Sequence, residues 1–143
     1  YSGYTTDPDI NPHYIRPAML QQRLQKLMDE YVGGVGTWYM TSKYMLEEGF
    51  YYMKMLKEDS YHMCAENLHE LLRAWENFHR ILAGEAHARH IHFREETRYP
   101  GYYYRGDHMA IDDENWKCFV NSTYDKDTGE WKIFKKDYQQ LVA

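Results

Sequence analysis

Between Arg94 and Trp116 the chain reads Arg-Glu-Glu-Thr-Arg-Tyr-Pro-Gly-Tyr-Tyr-Tyr-Arg-Gly-Asp-His-Met-Ala-Ile-Asp-Asp-Glu-Asn-Trp. Guanidinium groups at Arg94, Arg98 and Arg105 alternate with carboxylates at Glu95, Glu96, Asp107, Asp112, Asp113 and Glu114. Arginine pairs bidentately with carboxylates and stacks on aromatic faces. Burying such groups without partners is costly. The segment can therefore be an ion-pair strap, a docking surface or an anion site, and residue types alone leave all three open. The residues that would carry any of these roles are Arg94, Glu96, Arg98, Tyr102, Tyr104, Arg105, Asp107 and Trp116, with the Tyr102-Tyr103-Tyr104 run presenting rings to alternating sides.

Histidine and glutamate suggest a second chemistry. Glu66-Asn-Leu-His69 and Glu76-Asn-Phe-His79 both match the Glu-x-x-His ligand pattern of di-iron bundles. On one helix they stand ~15 Å apart in rise and ~80° apart in rotation, so they cannot share a centre. Such a centre also needs carboxylates from other helices, and no second Glu-x-x-His occurs in the earlier helical runs. Helix-surface polar residues are the simpler account, and a stand-alone metal-binding bundle is the weakest of the functional alternatives. His87, His90 and His92 form a further cluster, suited by charge to the end of a helix.

Other chemistries lack support. There is no Gly-x-Ser-x-Gly elbow, and neither Cys64 nor Cys118 has a partner pattern. They are expected to be reduced thiols in a cytoplasmic protein. Gly33-Gly34-Val35-Gly36 follows a helical pattern, whereas a dinucleotide fingerprint follows a strand. It reads as a helix stop with close backbone packing.

The elements that must position these residues follow from pattern. At 143 residues the chain has the length of one domain. Its net charge of −5 argues against a nucleic-acid partner. No apolar run approaches the ~18 residues of a membrane span. The first residue is Tyr1, which reads as a piece of a longer polypeptide. Residues 1–16 are expected to form an extended entry segment, 17–97 an antiparallel three-helix bundle, and 98–143 an extended strap and β-hairpin tail of the same domain. The spacing predicts helices over Pro17–Tyr31, about Thr37–Leu56 and about Tyr61 or Ala65 to Phe93. The third is expected to bury Leu68, Leu71, Leu72, Trp75, Phe78, Leu82, Ala86 and Phe93 along one face. Gly49 weakens the second by about 1 kcal/mol relative to alanine. Strands are expected over 117–124 and 130–136, joined by Asp125-Lys-Asp-Thr-Gly129 with glycine at positive φ.

The strap also carries a resemblance. Arg94-Glu-Glu-Thr-Arg98, Arg105-Gly-Asp107 and Asp112-Asp-Glu-Asn-Trp116 are similar to a motif in the C-terminal helical domain of the succinate dehydrogenase/fumarate reductase flavoprotein family. Thr97 stands for its Ser and Tyr99 for its Gly, the Arg98–Arg105 interval is two residues longer, and Met109 occupies the Pro position. These departures, with the Tyr1–Pro17 opening, Met28-Asp-Glu-Tyr-Val32 and Trp116-Lys-Cys-Phe-Val-Asn-Ser122, resemble one branch, the flavin-bearing alpha subunits of dissimilatory adenylylsulfate reductases. The resemblance covers essentially the whole chain.

It implies a mainly α domain, a three-helix bundle of spectrin-repeat type, in a larger oxidoreductase that converts adenylylsulfate to sulfite and AMP. FAD would sit in the parent's upstream flavin-binding and capping domains, and iron–sulfur clusters in a separate beta subunit. No cofactor and no catalytic residue is carried onto this fragment, which is expected to be inactive alone. Its expected work is to brace the flavin domain and help dock the iron–sulfur subunit. In the alternative, Arg98 and Arg105 reach the parent's anionic substrate channel.

Overall fold

The computed structural model describes residues 14–139. The expected extended entry segment lies outside the described residues up to position 13. From Tyr14 the chain runs into a parallel bridge between Ile15 and Met63.

Helix α1, Pro17–Tyr31, starts on a proline whose missing N–H is unpaired there anyway. Its Leu20, Leu24 and Leu27 are buried in the core. The helix stops where Gly33 takes φ +85, a left-handed value that costs glycine little. At Gly34 a Cβ would lie 2.5 Å from the Asp29 Cα, so only glycine fits beside the helix. The Thr41 hydroxyl donates to the Tyr31 carbonyl at 2.7 Å and satisfies one of the helix's terminal acceptors.

The second helix does not begin near Thr37 as the spacing predicts. A 3-10 turn occupies Val35–Thr37, Trp38 and Tyr39 take φ 55 and 61, and strand β1 follows at Met40–Thr41. Positive φ cannot continue a right-handed helix. Helix α2 instead spans Lys43–Ser60, capped by Ser42, whose Oγ accepts from the Met45 N–H at 3.3 Å. Gly49 has a packing role there: a Cβ would stand 3.0 Å from that of Tyr31.

Helix α3 spans Leu68–Phe93, later than the expected Tyr61 or Ala65, because Asn67 takes the N-cap and accepts from the Glu70 N–H at 3.0 Å. The buried face also differs. The helix buries Ala74, Asn77, Ile81, Glu85, Ala88 and Ile91, while Leu68, Leu72 and Trp75 are 76%, 56% and 60% exposed. Small residues set this rotation. Ala74 and Ala88 let neighbouring helices approach, and a Cβ on Gly84 would press on the Met28 sulfur at 3.1 Å. Asn77, 1% exposed, donates to the Pro17 carbonyl at 2.6 Å, which makes a polar residue a core position.

All three long helices pack on one another. Beyond α3, strand β2, Tyr104–Arg105, lies parallel to β1, with Met40 opposite Tyr104 and Thr41 opposite Arg105. A short helix α4 covers Asp113–Trp116, and strands β3, Phe119–Tyr124, and β4, Trp131–Lys136, form an antiparallel hairpin. Gly129 sits at φ +75 in its turn, as expected. An isolated hairpin is marginal; this one is tied to the helices by Lys57 Nζ donating to Tyr124 Oη at 2.8 Å and by a 2.9 Å hydrogen bond between His90 Nε2 and Ser122 Oγ. The molecule is thus mainly helical with a small β-hairpin near its C-terminal end.

Candidate functional site

The strap holds two ion-pair centres. Glu96, wholly buried, is the middle of the first. Its carboxylate accepts from Arg94 Nη1 at 2.6 Å, Arg98 Nε at 2.6 Å, Arg98 Nη2 at 3.0 Å and the Asp112 N–H at 2.9 Å. Arg94 also donates to the Trp116 and Cys118 carbonyls, both at 2.8 Å, and lies over the Trp116 ring at 5.7 Å. Arg98 reaches Asp113 Oδ1 at 2.9 Å. Trp116 is buried edge-on to Phe93, with Lys135 Nζ 3.6 Å from its ring centroid. The strap, α4 and the hairpin therefore meet around one carboxylate.

Arg105 makes the second centre and is also wholly buried. Its Nη1 donates to the carbonyls of Ile91, His92 and Arg94 at 2.6, 3.0 and 2.9 Å. The last carbonyls of a helix lack intrahelical partners and carry the negative end of its dipole, and Arg105 satisfies both needs. Its Nε and Nη2 meet the two Asp107 oxygens at 2.9 and 2.8 Å. Asp107 in turn accepts from the Lys43 N–H at 3.2 Å, at the start of α2.

Electrostatics follow the contacts. Burial alone would push the Glu96 carboxyl up, but hydrogen bonds from Arg98, the Asp112 N–H and Arg94 hold it below the usual range. The Arg105 guanidinium, more strongly than the opposing effect of burial, holds Asp107 well below it too. Glu96 raises Arg98 above the ordinary guanidinium value. A general acid or base works best with a pKa near the ambient pH, and these groups are driven away from it. The arrangement is suited to holding elements together.

The expected site residues divide accordingly. Arg94, Glu96, Arg98 and Trp116 come together, and Arg105 and Asp107 form a neighbouring pair. Tyr104 joins through its backbone, its N–H donating to the Tyr39 carbonyl at 2.7 Å. Tyr102 stands apart, 82% exposed, while Tyr103 packs against the core. Thr97 was not foreseen as a strap residue. Its buried hydroxyl accepts from the Arg105 N–H at 3.0 Å and donates to the His108 carbonyl at 2.8 Å. A hydroxyl amid so many charged donors was its only signal, and nothing in the local pattern pointed to Lys135.

The Glu-x-x-His pairs lead elsewhere. Glu66 accepts from Tyr14 Oη and Arg16, and Glu76 from Arg80. His92 faces Glu47 at 3.3 Å. Among the described residues no group of three His, Cys, Asp or Glu could hold a metal ion, and no helix is long and apolar enough to cross a membrane. Cys64 and Cys118 are both free.

No family model matches the chain. It is 56% identical over 140 residues to the adenylylsulfate reductase subunit alpha of Megalodesulfovibrio gigas, covering 98% of this chain and 21% of that one. Adenylylsulfate reductase from the hyperthermophilic Archaeoglobus fulgidus superposes at a TM-score of 0.90 with 48% identity, covering 100% of this chain and 22% of that chain. Quinol fumarate reductase FrdA of E. coli superposes at 0.75 with 18% identity over 89% of this chain and 22% of its own, a likeness of fold alone. The chain thus spans about a fifth of the length of the relatives it matches.

Proposed function

We propose that this chain, a homologue of the adenylylsulfate reductase alpha subunit, is the C-terminal helical domain of such a subunit, in an enzyme that reduces adenylylsulfate to sulfite and AMP. Its work is mechanical. It braces the flavin-binding and capping domains that precede it and helps dock a separate iron–sulfur beta subunit, in the cytoplasm, with its long helices forming a spectrin-type three-helix bundle.

The observation that carries this reading is 56% identity along nearly the whole chain against a relative about five times longer. FAD is assigned to the upstream domains. Bound there, it would supply the redox chemistry, with electrons drawn from the clusters of the beta subunit. On its own the fragment is inactive in this reading.

The strap's internal satisfaction supports bracing over substrate contact. Arg105 is 0% exposed and each of its guanidinium nitrogens makes a hydrogen bond within the chain, so it is closed off from an anion in solvent. Arg98 keeps part of its side chain exposed beside Tyr99 and Lys117 in an open groove, and direct contact with the anionic substrate is the second reading for that residue. Arg98→Ala in the alpha–beta heterodimer separates the two. Bracing and docking give weakened subunit association with KM for adenylylsulfate unchanged, whereas substrate contact gives a raised KM in a fully assembled enzyme. Reduction of adenylylsulfate by the purified fragment alone would refute the mechanical role.

A further inference from the structure

Leu68, Leu72 and Trp75 recur at helical i, i+4 and i+7 spacing on α3 and lie 76%, 56% and 60% exposed. This is a stripe of large apolar side chains on one helix face, shouldered by half-buried Leu71 and Phe78. Scattered exposed apolar residues need no account, but a contiguous stripe marks a contact surface. Trp75 is also the side-chain type that most often anchors an interface. The rotation of α3 is fixed independently, by Ala74, Ala88 and the Asn77–Pro17 hydrogen bond on its other side. The stripe therefore cannot turn inward without breaking the core.

We propose that the α3 stripe Leu68–Leu72–Trp75 is the seat of the preceding domains of the same alpha polypeptide. The proposal rests on the reading of this chain as a C-terminal domain. Two observations choose this occupant over the iron–sulfur subunit or a second copy. The matched relative extends over nearly five times the matched length, so most of its polypeptide lies outside this segment. The described chain also enters beside the stripe. Ile15 bridges Met63, and Tyr14 Oη and Arg16 both donate to Glu66, two residues before Leu68. A domain that precedes residue 1 in the same polypeptide is joined to Tyr14 by 13 residues, at most about 45 Å of chain, and so meets the stripe at high effective concentration. A separate subunit has no such advantage.

The test uses the full alpha subunit, alone and as the alpha–beta heterodimer. Oxidative footprinting of Trp75 is compared with the same residue in urea-unfolded protein, and a photocrosslinking amino acid replaces Leu72. The proposal expects Trp75 to be oxidised several-fold more slowly in the alpha subunit alone, at a rate independent of protein concentration. It also expects the position-72 crosslink to join an alpha peptide upstream of this segment. Protection that appears only with the beta subunit, protection that grows with concentration, or oxidation at the unfolded rate in both forms each overturns it. Where the alpha subunit alone cannot be recovered, a heterodimer crosslink into the beta subunit or into a second alpha copy overturns it equally. Turnover of adenylylsulfate by the same preparation is measured separately, so a failure of the parent assignment is distinguished from a misplaced interface.

Discussion

Arg105 and Asp107, separated only by Gly106, face each other through two parallel hydrogen bonds of 2.9 and 2.8 Å. Each has a second task. Arg105 holds the terminal carbonyls of α3, and Asp107 accepts the N–H of Lys43 at the start of α2. One pair thus joins the end of one helix to the beginning of another, and β2 is anchored beside β1 by the Gly106 N–H donating to the Thr41 carbonyl at 2.7 Å. The strap is a clamp between the end of α3 and the start of α2.

Arg105→Met is expected to destabilise the fold strongly. It leaves Asp107 without its guanidinium and three helix-end carbonyls without a donor. Breaking a buried pair by removing one partner costs about 3–5 kcal/mol. Arg105→Lys recovers only part of the loss, because a point charge cannot bridge Asp107 and the carbonyls in the planar fork geometry. Urea unfolding of both variants against the parent sequence checks the order Arg, Lys, Met; equal midpoints would refute the clamp.

Stability is expected to fall with acid. Glu96 and Asp107 both have lowered pKa values in the folded chain, so at acid pH the unfolded chain binds more protons and is favoured. Their contribution is complete above the ordinary carboxyl range of about 4–4.5. It is lost as pH falls through that range toward the lower folded values. Glu96→Gln should lower stability at neutral pH and flatten the acid limb of midpoint against pH. An unchanged slope would mean that Glu96 does not titrate with unfolding.

Part of this was legible in the chain. Pro17, the leucines of α1 and the Asp125–Gly129 turn carry local signals, and local signals were enough to place those elements. The Arg94–Trp116 residues announced a charge network by type. The pairing within it was not legible, because Glu96 meets Asp112 and Arg105 meets Ile91 only after the chain has folded back on itself. The rotation of α3 was hidden for a different reason. Hydrophobicity points to Leu68, Leu72 and Trp75, whereas the helices meet through Ala74, Ala88, Gly84 and a hydrogen-bonded Asn77. Close approach rewards small residues, which periodicity of large ones does not register.

Gly34→Ala is expected to destabilise even though alanine favours order in most settings. The added Cβ would sit 2.5 Å from the Asp29 Cα, a backbone atom that cannot swing aside. Overpacking of this kind costs about 1–3 kcal/mol. The Gly36 N–H to Asp29 Oδ1 hydrogen bond of 2.9 Å should weaken as the turn opens. Thermal unfolding gives the cost, and faster exchange of the Gly36 amide locates it.

The orientation of α3 can be decided by one comparison. Ile81 is 2% exposed and Leu72 56% exposed, although both are large aliphatic residues of the same helix. Ile81→Ala removes packed methylenes and leaves a cavity, at about 2–5 kcal/mol. Leu72→Ala removes atoms that already face solvent within this segment, so its effect on the isolated segment should stay within about 0.5 kcal/mol. The expectation from periodicity puts Leu72 on the buried face and leaves Ile81 off it, so it predicts the large cost at Leu72 instead. In the full alpha subunit the proposed interface requires the contrast to narrow, because the preceding domains would cover Leu72. A Leu72→Ala cost that rises from near zero in the segment to a measurable loss in the parent would report the interface through stability alone. A cost near zero in both would leave the stripe uncovered and sink that placement.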